Sequence, residues 1–120
     1  MGTMQIGELA ERSEMSLRTL RHYDEVGLLK PSARSEGGYR LYTEGDLERL
    51  LLIRRMKPLG FSLDEMAELL RITDALVGDP ADARMRRRLA EVVADAEARR
   101  ERLVAQVAMA DEFIRLLKDR

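Results

Sequence analysis

Arg18, Arg21 and His22 follow the i, i+3, i+4 spacing that lines up side chains on one face of a helix, and Glu25 continues the series at i+7. Guanidinium groups on such a face can clamp phosphate or grip guanine in a bidentate way inside a major groove about 12 Å wide. Taken alone, the same pattern is an ordinary solvated face. A second set follows closely: Arg34, Tyr39, Arg40 and Tyr42 flank the pair Gly37-Gly38. Outward members of that set could donate to phosphates beside a groove or reach the minor groove. The plainer alternative is β-forming aromatics on a half-buried hairpin, with Leu41 and one tyrosine in the core. His22 is the only histidine, there is no cysteine, and no paired carboxylates surround it. The chemistry on offer is therefore binding rather than catalysis, and neither an enzyme nor a metal or cofactor site is expected.

Presenting these groups requires a helix held across another helix. Ile6, Leu9 and Ala10 predict a first helix over 6–13, and Ser16 can N-cap a second that ends near Gly27. This is helix, three-residue turn, helix. Pro31, the turn residues Ser35-Glu-Gly-Gly38 and the alternating Tyr39-Arg-Leu-Tyr42 predict a two-stranded wing. Thr43 with Asp46 resembles a capping box and opens a third helix through Leu47, Leu50, Leu51 and Ile53, closed by Pro58 and Gly60. Ser62 with Glu65 opens a fourth, and a linker follows at Val77-Gly-Asp-Pro80, where Asp79 is the expected cap and Pro80 the expected first helical residue.

From Ala81 onward the chain has no Gly or Pro. With Leu89 as position a, the a series reads Leu89, Ala96, Leu103, Ala110 and Leu117, and the d series Met85, Val92, Arg99, Gln106 and Phe113. Val93, Val107 and Ile114 at e widen the stripe. A helix of roughly 50 Å cannot bury such a stripe on a domain of about 80 residues, so it is expected to pair with its twin. The expected division is 1–77 for a DNA-binding domain and 78–120 for a linker and dimerisation helix.

Bulk composition neither announces nor forbids a polyanion partner. The 120 residues are 45% apolar and 36% charged with a net charge of -1, a composition that folds. Because the total is near neutral, any nucleic-acid contact rests on where the cations sit. The absence of cysteine excludes disulfides and thiolate metal or cluster ligation. No segment reads as a membrane span or a signal-peptide core, so the expectation is a cytoplasmic, nucleoid-associated protein with no membrane partner.

Five blocks carry a resemblance: Ile6-Gly-Glu-Leu-Ala10, Ser16-Leu-Arg-Thr-Leu-Arg-His-Tyr-Asp-Glu-Val-Gly-Leu-Leu29, Gly38-Tyr-Arg-Leu-Tyr42, Asp46-Leu-Glu-Arg-Leu50 and Leu59-Gly-Phe-Ser-Leu63. In order and spacing they resemble the MerR-type winged helix-turn-helix regulators, and the long last helix extends the likeness over nearly the whole chain. The resemblance implies a mainly α fold in which a winged domain with a small hairpin precedes a helix that dimerises as an antiparallel coiled coil. It makes the helix beginning at Ser16 the recognition helix, with Arg18, Thr19, Arg21 and His22 toward DNA and Tyr23 near its backbone. Arg34, Tyr39, Arg40 and Tyr42 would form the first wing, and Lys57 to Ser62 a second wing touching phosphate. The partners it implies are double-stranded promoter DNA, a second copy of the chain, and RNA polymerase on the shared promoter. Family members bend and untwist pseudo-palindromic promoters, at a cost of a few kcal/mol. Glu14 departs from the Gly that the family often has in the helix-turn-helix turn, and Pro58 is unusual so near a second wing.

The dimerisation set is Met85, Leu89, Val92, Val93, Ala96, Leu103, Val107, Ala110, Phe113 and Leu117. For an effector, the expected place is an apolar crevice at Leu69, Leu70 and Ile72, where core packing is the default reading. The competing function is a coiled-coil adaptor whose winged domain binds protein instead of DNA.

Overall fold

The computed structural model describes residues 2–120. Its elements are β1 (Thr3–Gln5), α1 (Ile6–Ser13), α2 (Leu17–Glu25), β2 (Ala33–Arg34), β3 (Arg40–Thr43), α3 (Glu44–Met56), a one-turn 3-10 helix (Lys57–Leu59), α4 (Leu63–Gly78) and α5 (Ala83–Lys118). They form two compact units, Met1–Lys57 with Ser62–Ala67, and Pro58–Phe61 with Glu68–Arg120. No helix among the described residues is long and apolar enough to cross a membrane.

In the first unit α1 packs on α2, α3 and the sheet. Leu9, Leu20, Tyr42, Leu50 and Ile53 are its most deeply buried apolar side chains. The turn between α1 and α2 is a left-handed cap. Glu14 takes φ 58 and ψ 34, the Met15 N–H donates to the Ala10 carbonyl at 3.2 Å, and the Glu14 N–H donates to the Glu11 carbonyl at 3.4 Å. This is the bonding that usually calls for glycine. Glutamate thus adopts a conformation that glycine reaches at no steric cost, and its carboxylate receives Arg54 from α3 at 3.0 Å. Ser16 then caps α2, its hydroxyl oxygen accepting from the Thr19 N–H at 3.1 Å.

The wing belongs to a three-stranded antiparallel sheet in the order β1-β3-β2, not to an isolated strand pair. Pairing Thr3 with Thr43 and Met4 with Tyr42 places the N-terminus against the central strand, while Ala33 pairs with Leu41 and Arg34 with Arg40. The missed strand is three residues long with one buried side chain, Met4, so it offers no alternation to read. Both capping boxes form. Asp46 Oδ2 accepts from the Thr43 N–H at 2.9 Å and the Asp46 N–H donates to Thr43 Oγ1 at 3.1 Å, and Ser62 and Glu65 exchange the same pair of bonds at 2.8 and 3.1 Å. Asp46 also accepts from Ser32 Oγ at 2.6 Å, fastening the loop before the wing to the start of α3.

In the second unit, α5 starts later than the sequence suggests. Asp82 is its cap, accepting from the Met85 N–H at 3.1 Å, whereas Asp79 turns its carboxylate to the Ala81 N–H at 3.2 Å and Pro80 stays outside the helix. Two aspartates three residues apart offer equivalent caps, and only the second follows the turn that closes α4. The helix is 36 residues long, about 54 Å at the standard rise, and has no buried residue.

Replacing Glu14 tests the turn. A non-glycine residue in the left-handed region costs about 1–2 kcal/mol, and glycine loses about 0.5–1 kcal/mol in backbone entropy. Glu14→Gly is therefore expected to melt at or slightly above the wild-type temperature, and Glu14→Val, which is β-branched, clearly below it. A Glu14→Val protein with wild-type melting would refute the assigned geometry.

Candidate nucleic-acid interface

The exposed face of α2 carries Arg18, Arg21 and His22, as its helical spacing requires. Neither guanidinium is paired with a carboxylate among the described residues, an arrangement that leaves both cations available to an incoming anion. Thr19, one turn from Ser16, is half-buried and its hydroxyl accepts from Ser16 Oγ at 2.9 Å. Lys57 is exposed at the end of α3.

The opposite face of α2 buries Leu20, Tyr23 and Asp24. Asp24 is the residue that sequence reasoning missed. Its Oδ2 receives Arg40 Nε at 2.6 Å and Arg34 Nη2 at 3.5 Å, and Arg34 Nη1 also donates to the Gly38 carbonyl at 3.2 Å. Asp24 thereby ties the wing to α2, and its hydrogen bond holds the Arg40 guanidinium above its ordinary pKa. Nothing local marks the contact, because Asp24 and Arg40 meet only once the hairpin register is set. The wing turn runs from Ser35 to Gly38, whose φ of +83 needs glycine, and it presents Tyr39 with 64% of its surface exposed.

Two expected contact residues lie inside instead. Tyr42 is 0% exposed and Tyr23 2%. Tyr42 alternates inward on β3 opposite Met4, and Tyr23 shares the buried face of α2, so neither ring is available to a ligand in this conformation. The Tyr42 hydroxyl is buried without a hydrogen-bond partner among the described residues. Burial, then the charge of Asp24, pushes its phenol upward, and burial does the same for Tyr23. Leu69, Leu70 and Ile72 are likewise buried within the single chain, so the side chains expected to line an effector crevice are already engaged in packing. The α5 stripe is open by contrast: Val93, Leu103, Val107, Phe113 and Leu117 are all exposed, Phe113 by 62%. Met85, Leu89, Val92 and Ala96 are half-buried and Ala110 is exposed.

Residues 4–72 match the family described as MerR HTH family regulatory protein, and residues 47–110 match the one described as MerR, DNA binding. This chain belongs to the MerR family. The HTH-type transcriptional activator mta of Bacillus subtilis strain 168 is 53% identical over 66 residues, which are 55% of this chain and 26% of mta. The chain spans about half or less of curated relatives of this kind, 51% and 48% in two further bacterial regulators. The crystal structure of MtaN, the N-terminus of the Bacillus subtilis multidrug transporter activator, superposes with a TM-score of 0.61 at 36% identity, covering 96% of this chain and 94% of that one. HiNmlR, a MerR family regulator lacking the sensor domain and bound to promoter DNA, gives 0.65 at 30% identity over 98% and 86%. These relatives are regulators and not enzymes, in line with a MerR surface built of cations and hydrogen-bond donors.

Two outcomes follow from this MerR wing. Asp24→Ala leaves Arg40 without its carboxylate, and hydrogen exchange of the β3 amides should quicken by roughly ten-fold, the scale of one charge-assisted hydrogen bond; unchanged exchange would remove Asp24 from its clamping role. The raised phenols act at the alkaline end. A neutral buried phenol contributes stability that is complete below the ordinary tyrosine value of about 10 and is lost as pH rises through the higher folded value. Phenolate absorbance from Tyr23 and Tyr42 should thus appear together with loss of the helical circular-dichroism signal, and their ionisation in a still-folded chain would contradict the burial.

Proposed function

We propose that this chain is a homodimeric, sequence-specific regulator that binds a pseudo-palindromic promoter and distorts it to control transcription. The observation that carries the reading is the exposed α2 face, where Arg18 and Arg21 stand without internal partners beside a wing locked by Asp24. The α2 face has the dimensions of a major-groove reader. The DNA-bound HiNmlR structure supports the same use of the fold.

Base and phosphate contacts are assigned to Arg18, Thr19, Arg21 and His22 on α2, with Ser16 setting the helix start, and to Arg34, Tyr39, Arg40 and Lys57 around it. Tyr23 and Tyr42 act from the interior by shaping α2 and the wing. Residues 1–77 serve as the DNA-binding segment and 78–120 as the dimerisation segment. The exposed stripe from Val93 to Leu117 supports antiparallel pairing with a second copy, since a contiguous apolar strip of this length seldom faces water in a monomer. Pairing would hold two α2 helices near one or two DNA turns apart, roughly 34 Å each. RNA polymerase is then met on the shared promoter.

The test is the double variant Arg18→Ala/Arg21→Ala. Loss of each base contact costs about 1–3 kcal/mol, so specific binding to DNA selected from random sequence should fall by about thirty-fold or more while sedimentation still shows a dimer. Wild-type binding should weaken steeply with salt. Retained binding by the double variant would instead favour the protein-binding adaptor.

A further inference from the structure

Arg99 occupies a d position of the heptad pattern, where a cation has no reason to be if that position faces a second helix. Its contacts turn elsewhere. The guanidinium carbon lies 3.9 Å above the Phe61 ring centroid, Nη1 donates to the Leu59 carbonyl at 3.3 Å, and Nε and Nη2 donate to the two Asp95 oxygens at 3.0 and 3.3 Å. The side chain is only 17% exposed. One planar group thus uses its face on a ring and its edge on a carbonyl, while a carboxylate one turn back holds it in register, a combination that lysine cannot reproduce. Gly60 lies between the two gripped residues at φ +81, and a Cβ there would come within 3.8 Å of Nη1.

Phe61 and Leu59, which Arg99 grips outside its own helix, lie in the loop Pro58–Phe61. That loop clusters with α5 as one compact body, although in sequence it directly continues α3 through Lys57. We propose that Arg99 is a positioning residue that makes this loop, the second wing, a rigid attachment of the dimerisation helix, so that where the loop amides meet phosphate is set by α5. The inference rests on the DNA-binding reading above. Asp95 is the second member of the device, because it fixes the rotamer from which Arg99 reaches the loop. The unusual Pro58 fits this arrangement: it forms part of the single 3-10 turn that carries the chain from α3 into the gripped loop.

Arg99→Met keeps the length of the side chain and removes the grip, and Arg99→Lys keeps the charge alone. In the full-length wild-type and variant proteins, shown to be folded by circular dichroism and dimeric by sedimentation, amide exchange over residues 59–61 should rise about ten-fold in Arg99→Met and less in Arg99→Lys, with exchange of α2 unchanged. On selected promoter DNA, Arg99→Met should lose hydroxyl-radical protection at the outermost phosphates. The slope of log affinity against log salt should shrink by about 2, one phosphate from each protomer at about 0.9 apiece, while base preference stays that of the wild type. A merely structural arginine would lower the melting temperature without moving footprint or slope. Unchanged exchange over 59–61 overturns the inference whether or not DNA binds. Raised exchange with an unaltered footprint and slope overturns the link to phosphate contact. Absence of salt-dependent binding in the wild type sinks the DNA-binding reading and that link together, and leaves the grip itself decided by exchange.

Discussion

One oxygen atom organises the surface on which the remaining cations act. Asp24 Oδ2 receives Arg40 and Arg34 from the wing while its own backbone belongs to α2, so helix and hairpin share an electrostatic hinge pin. The local dielectric near a buried aspartate strengthens such a bond, and losing either partner leaves a charged group poorly solvated. The carboxylate also sorts the arginines. Arg34 and Arg40 are oriented by it, Arg12 is held by Glu44 and Arg54 by Glu14, and Arg18 and Arg21 remain without a carboxylate. A chain with a net charge of -1 can thus still present a positive edge where Arg18 and Arg21 stand on α2.

The Arg12–Glu44 pair illustrates the structural half of that sorting. It links the end of α1 to the first turn of α3, with two hydrogen bonds at 2.6 and 2.9 Å. The hydrogen bond from Arg12 lowers the Glu44 carboxyl below its ordinary range. A depressed carboxylate contributes above its ordinary value and its contribution fades as pH falls through the folded one, so this link weakens only in acid. Both side chains are well exposed, and the pair serves orientation more than stability.

How much was legible in the sequence depended on the range of each signal. The limits of α1, the cap at Ser16 and the boxes Thr43–Asp46 and Ser62–Glu65 are bonds spanning three or four residues, and local spacing reveals them. β1 was not legible because its single buried residue is paired 38 positions away, Met4 with Tyr42. The same distance hid the burial of Tyr42: the alternation of β3 is plain, but which phase faces inward depends on that missing strand. Tyr23 lies on the same buried stripe as Leu20, and it was the resemblance, not the residue pattern, that turned it toward DNA. The heptads place Arg99 at a d position without explaining it, since its reason lies 38 to 40 residues upstream in Phe61 and Leu59.

The helix α5 buries no residue of its own, and beyond Arg99 every side chain is exposed in the single chain. Under the proposed pairing, ordering of that half is a bimolecular event, and its stability is measured against the number of chains in the cell and not against any internal contact. Below the dimer dissociation constant, the population able to occupy an operator grows as the square of the chain concentration. Gene dosage and proteolysis then become regulatory inputs in their own right, because halving the supply of chains cuts the competent species about four-fold by mass action.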